Sequence, residues 1–136
     1  MTEHELNKIL SNAIALPAET EIVEFKEAKN SYDFDKIGKY FSALSNEANL
    51  KGRACAWLVF GIENKKHHIV GSHFRTSRKD LDSLKKEISD KTTHNVSFIE
   101  IYELQKTEGR VVMFHIPAAP QGIPVAFEGF YLWSCQ

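Results

Sequence analysis

At 136 residues the chain is long enough for one domain with a sizeable buried core and too short for two ordinary ones. Hydrophobic residues at 43% and charged residues at 26% are the mixture of a globular domain, which argues against a disordered chain, and no apolar run approaches the roughly 18–20 residues of a membrane span. The net charge of −1 hides an asymmetry: residues 51–94 hold ten Lys/Arg against five Asp/Glu, while residues 1–50 hold five against nine and residues 95–136 hold two against four.

The start, "MTEHELNKILSNAIAL", contains acids and is amphipathic, so it reads as neither a secretory signal nor a transit peptide. A cytoplasmic protein with reduced Cys55 and Cys135 is expected, because the two thiols form no metal-binding spacing. Thr2 and Glu5 make a capping-box pattern ahead of Leu6, Ile9, Leu10, Ala13 and Ile14, which predicts a helix ending near Pro17. A short strand follows from Glu21 to Lys26, with Val23 and Phe25 on one face and Ile22, Glu24 and Lys26 on the other. A second helix is predicted over 33–46, with Phe34, Ile37, Phe41 and Leu44 along one stripe.

"ACAWLVFGI" (54–62) is nearly all apolar without alternation, the pattern of a central strand buried on both faces, Trp57 included. A turn at Asn64-Lys65 leads into "HHIVG" as a further strand. Ser77 and Asp80 repeat the capping-box pattern before Leu81, Leu84 and Ile88, predicting a third helix over 78–91. "VSFIEIYEL" and "RVVMFHIP" are strands around the turn Thr107-Glu108-Gly109, and "GIPVAFEGFYLW" makes a turn and a short hairpin. The order α-β-α-β-β-α-β-β-(ββ) indicates one α+β domain, with an N-terminal helix over 1–17, a core over 18–136, about three helices and a mixed β-sheet. The end, "GFYLWSCQ", reads as a domain cut from a longer protein.

Two groups of residues carry chemistry. Lys65, Lys66, His67 and His68 crowd one turn, and His73, Arg75, Arg78 and Lys79 lead into the third helix, whose first N–H groups favour a phosphate. Such a segment suits a polyanion such as DNA or RNA, although charge alone equally describes a solvated face. "ETEIVEFKEAKN" (19–30) places Glu19, Glu21, Glu24 and Glu27 beside apolar residues. These acids suit a metal or catalytic cluster, a device for orienting bases, or the wet face of a strand. The histidines lack convincing metal spacing, and no phosphate-binding glycine loop is present. Tyr131 and Trp133 are candidates for a stacking surface or an interface such as a homodimer's.

Taken together, the motifs resemble the Schlafen-type AlbA-like domain of bacterial transcriptional regulators, often labelled RecG-related or ATP-dependent DNA helicase-like. The resemblance rests on "ETEIVEFK" (19–26), on "SALSNEAN" as the end of a helix, on "WLVFGIEN" followed by "IVG", and on "VVMFHIPAAPQGIPVAF", about residues 15 to 132 in all. Where many members carry Gly-Gly after the Asn, "NEANLKGRACA" keeps only Gly52, and "FYLWSCQ" stands where a Gly-Arg-x-Gly-like stretch is usual. The resemblance implies a DNA-binding module, with any ATP-linked activity belonging to a longer protein. By similarity to the animal Schlafen nucleases it also implies an alternative, a divalent-metal-dependent endoribonuclease using Glu19, Glu24 and Glu63. Mg²⁺ or Mn²⁺ would be its ion, and no cofactor is expected otherwise. A third alternative is a protein-interaction or oligomerisation domain. The nucleic-acid-binding residues expected are Lys65, Lys66, Arg75, Arg78 and Lys79.

Overall fold

A computed structural model describes residues 1–15 and 22–131, the last two as backbone. Its elements are α1 (Glu3–Ala15), β1 (Ile22–Lys26), α2 (Phe34–Leu50), β2 (Cys55–Phe60), α3 (Arg78–Lys91), β3 (Glu100–Lys106), β4 (Gly109–Pro117), β5 (Ala126–Phe127) and β6 (Phe130–Tyr131). Four strands form one sheet in the order β1-β2-β4-β3, and β5 pairs with β6. β1 runs parallel to β2, and β4 is antiparallel to both β2 and β3. The α+β class and the mixed sheet expected from the sequence are those found. No helix among the described residues is long and apolar enough to cross a membrane.

Both faces of the sheet are covered, which is why β2 carries an unbroken apolar run rather than an alternating one. On one face α2 and α3 contribute Ile37, Phe41, Leu44, Leu81, Leu84 and Ile88 against Ala56, Leu58, Phe60, Ile101, Phe114 and Ile116. On the other, α1 lays Leu6, Leu10 and Ala13 over Phe25, Trp57, Val59, Leu104, Val111 and Met113. Burying each such leucine contributes about 1.5–3 kcal/mol. Trp57 is core, 1% exposed, and its ring lies flat on the His115 imidazole at 4.1 Å and 2°. His115 Nδ1 is buried with no hydrogen-bond partner among the described residues.

The capping box of α1 is made in both directions: the Thr2 N–H donates to Glu5 Oε1 at 2.9 Å and the Glu5 N–H to Thr2 Oγ1 at 3.1 Å. The matching pattern at α3 is not made, since Ser77 caps with its backbone alone. α2 runs one turn beyond the expected Asn46. Its end is set by Gly52 at φ +66°, where the Arg53 N–H reaches the Ala48 carbonyl and the Gly52 N–H the Asn49 carbonyl, a Schellman arrangement.

Asn46, expected at the helix end, instead clamps a distant segment. Its side chain donates to and accepts from the Val125 backbone at 2.9 and 2.8 Å, and Ser42 Oγ and Ser45 Oγ donate to the carbonyls of Val125 and Pro117. "HHIVG" is not a strand. A single bridge, Ile62 to Ile69, closes a protruding loop, because positive φ at Gly61, His67 and Gly71 breaks extension. Pro17, Glu19, Glu21, Trp133, Cys135 and the Tyr131 side chain lie outside what is described.

Candidate nucleic-acid interface

The connection from β2 to α3 leaves the sheet at the carboxyl ends of the parallel pair β1 and β2. Its first part is organised by Glu63, whose Oε1 accepts from the Lys65 N–H at 2.8 Å and whose Oε2 accepts from the Lys66 N–H at 2.7 Å. These backbone donors hold the Glu63 carboxyl below its ordinary pKa. With Glu63 N–H on the His68 carbonyl and His67 N–H on the Glu63 carbonyl, the tip presents Lys65 and Lys66 to solvent. The His67 ring folds back over Phe25 at 4.6 Å.

The second part returns along β4 and the loop after β1. Ser72 N–H donates to the Arg110 carbonyl at 2.8 Å, Ser72 Oγ to the Ala28 carbonyl, and His73 N–H to the Lys29 carbonyl at 2.6 Å. Gly71 and Gly109 make this approach possible: a Cβ on Gly109 would lie 2.7 Å from the Gly71 Cα, and Gly109 has φ +149°. Arg110, with a side chain only 10% exposed, is the clasp. Its guanidinium donates to the carbonyls of Ser72, Phe74 and Arg75 and pairs with Glu103 at 2.8–2.9 Å.

Arg75 and Arg78 are thereby brought to the start of α3, and both are engaged. Arg75 makes a two-pronged pair with Glu87, at 2.7 and 3.2 Å, and donates to the Asp80 carbonyl. Arg78 reaches Asp82 Oδ1, Glu100 Oε1 and the Ile101 carbonyl, while Lys85 shares the same Asp82 and Glu100 oxygens. The Arg78 hydrogen bonds hold Asp82 below its ordinary pKa. Burial works against the Glu100 charge, but the Ile101 N–H and Lys85 outweigh it and lower that carboxyl too. Among the described residues Lys65, Lys66 and Lys79 have no ion pair, and all three are exposed.

The carboxylates divide differently. Glu24, half-buried on β1, pairs with Lys26 at 3.7 Å, and the Lys26 ammonium sits 4.9 Å above the Tyr40 ring. Burial opposes the Lys26 charge, yet the Tyr40 hydroxyl and Glu24 hold its pKa above the ordinary value. Glu63 lies beyond the end of the neighbouring strand, and Glu19 is outside the described residues. Among the described residues no group of three His, Cys, Asp or Glu is arranged to hold a metal ion. Arg110 and its partner Glu103 escaped the sequence reading. Their signal is two opposite charges at positions that become diagonal neighbours across the β3–β4 hairpin.

The family model described as "Schlafen, AlbA_2" matches residues 19–132. Among solved structures, the chain is similar to the DIP2311 protein of Corynebacterium diphtheriae, with TM-score 0.59 and 19% identity over 92% of this chain and 24% of that one. It is also similar to the N-terminal domain of a RecG-related helicase-like protein from Nitrosomonas europaea, with TM-score 0.55 and 17% identity over 93% of this chain and 84% of that one. At these identities the likeness is one of fold. The chain spans about a quarter of the length of the first of these proteins. The comparison with curated proteins returned no match.

Proposed function

The chain belongs to the Schlafen AlbA_2 family, and from that premise we propose that it is a nucleic-acid-binding module, with DNA its expected ligand, of the kind that serves a transcriptional regulator or a RecG-related helicase-like protein. The observation that carries this reading is the segment 63–79. It exposes Lys65, Lys66 and Lys79 without ion pairs among the described residues, sets Arg75 just ahead of α3 and begins the helix at Arg78. Lysines supply point charge to a phosphate backbone and arginines supply planar two-pronged contacts. Backbone-directed contacts position a protein on nucleic acid without reading its sequence.

The test is fluorescence anisotropy of a labelled DNA duplex and a labelled RNA stem-loop. About five phosphate contacts predict a loss of roughly 10²–10³-fold in affinity between about 50 and about 200 mM salt. Replacing Lys65, Lys66 and Lys79 by alanine is expected to flatten that dependence. Binding that ignores salt, or none to either probe, would overturn the reading.

A metal-dependent endoribonuclease is the second reading, and the adjacency of β1, bearing Glu24, to β2, which leads into Glu63, favours it. Glu19, Glu24 and Glu63 would hold the ion that this reading needs, Mn²⁺ or Mg²⁺, and when bound it would supply charge stabilisation to a scissile phosphate. Mn²⁺-dependent cleavage of structured RNA, abolished by Glu24→Gln, is its expected outcome; RNA left intact at high protein concentration rejects it.

A further inference from the structure

We propose that Glu87, Asp82 and Glu100 act as internal stand-ins for phosphate, holding Arg75 and Arg78 closed so that a polyanion engages them by displacing this chain's own carboxylates. The inference rests on the nucleic-acid reading above and concerns how that surface is regulated. A carboxylate accepts from a guanidinium fork with the geometry a phosphate uses. The two-pronged Arg75–Glu87 pair is such an arrangement, and Arg78 is engaged by Asp82, Glu100 and the Ile101 carbonyl, with Glu103 at 3.6 Å.

These contacts are exchangeable. The side chains of Glu87, Asp82 and Glu100 are 43%, 51% and 37% exposed; Glu87 can turn into water once Arg75 is taken, while Asp82 and Glu100 keep Lys85 as a partner when Arg78 leaves. The Arg110–Glu103 pair is 10% and 23% exposed and belongs to the clasp that fixes the loop, and Glu103 Oε2 also lies 3.6 Å from Arg78 Nη1. The more buried pair thus sets the backbone and adjoins the more exposed pairs, which are placed to swap partners. Solvent-exposed pairs hold weakly, so the closure tunes affinity and does not abolish it. Lys65, Lys66 and Lys79, which have no such partners among the described residues, make the first contact.

The test uses the intact chain and the same duplex and stem-loop probes at low salt. Glu87→Gln and Asp82→Asn are each expected to tighten binding about 3- to 10-fold, and the gain from Glu87→Gln should vanish when Arg75→Ala is added. Glu3→Gln, on α1, changes net charge equally and is expected to leave affinity near wild type. A gain from Glu3→Gln as large as the others would reduce the effect to general charge and overturn the proposal. Wild-type binding that is lost in Arg75→Ala/Arg78→Ala yet unchanged in Glu87→Gln and Asp82→Asn would reject the closure while leaving the interface standing. No binding by wild type or any variant would overturn both. Asp82→Asn serves as the second variant if Glu87→Gln lowers the melting temperature.

Discussion

Arg110 is the residue on which the loop depends most. It gathers three carbonyls that would otherwise point into a poorly hydrated corner, and it neutralises Glu103. Arg110→Ala leaves three backbone acceptors unmatched and Glu103 with only the longer Arg78 contact at 3.6 Å, so a loss of about 3 kcal/mol is expected in urea unfolding. Arg110→Lys should restore little, because one ammonium cannot span three carbonyls. A second residue, His115, ties stability to pH. Burial holds its imidazole below the ordinary pKa, with the nearby amino terminus adding to the effect. The unfolded chain therefore takes up a proton that the folded one refuses. The neutral ring's contribution is complete above the ordinary histidine value of about 6.5 and is lost as pH falls through it. His115→Phe is expected to flatten the fall in melting temperature between about pH 7.5 and about pH 5.5; an unchanged slope would show that other groups dominate.

At the scale of elements, α2 is held by what lies across it. Gly38 sits where a Cβ would come within 2.1 Å of the Phe127 ring, and Phe127 is itself buried, 2% exposed, beside Phe34. Gly38→Ala would gain about 1 kcal/mol of helix propensity on an open face. Here the overpacking costs about 1–3 kcal/mol, so a net loss in thermal stability is expected, eased by pairing it with Phe127→Leu. This contact also marks what sequence pattern can and cannot convey. The bounds of α3 and the two-faced burial of β2 were legible because periodicity and an unbroken apolar run are local signals. The end of α2 is marked in the sequence by Gly52; the role of Asn46 is not, because it is non-local, with its partner Val125 79 residues away. "HHIVG" misled for the reason that β-propensity does not register the left-handed turns at His67 and Gly71. Of the site, the bases were visible as charge, and so was Asp82, which stands four residues after Arg78 on one helix and pairs with it at 3.1 Å. Glu87 and Glu100 were not, since they meet the arginines only after α3 and β3 have packed.

Viewed as a whole, the molecule is a sheet with two unlike covers. One face is closed by α2 and α3, within the matched stretch 19–132, and the other by α1, which lies before it. α1 is tied down by Leu6, Leu10 and Ala13 and by the Lys106 ammonium on Asn7 Oδ1 at 2.6 Å. Anyone cloning the domain at the family boundary would therefore delete a wall of the house. A chain begun at Glu19 would bare the Trp57, Val59 and Met113 side of the sheet to water, an apolar surface of the kind that drives self-association. Size-exclusion chromatography of that truncation should show higher oligomers where the full chain does not, and a dimer found only in the truncated form would be a product of the scissors.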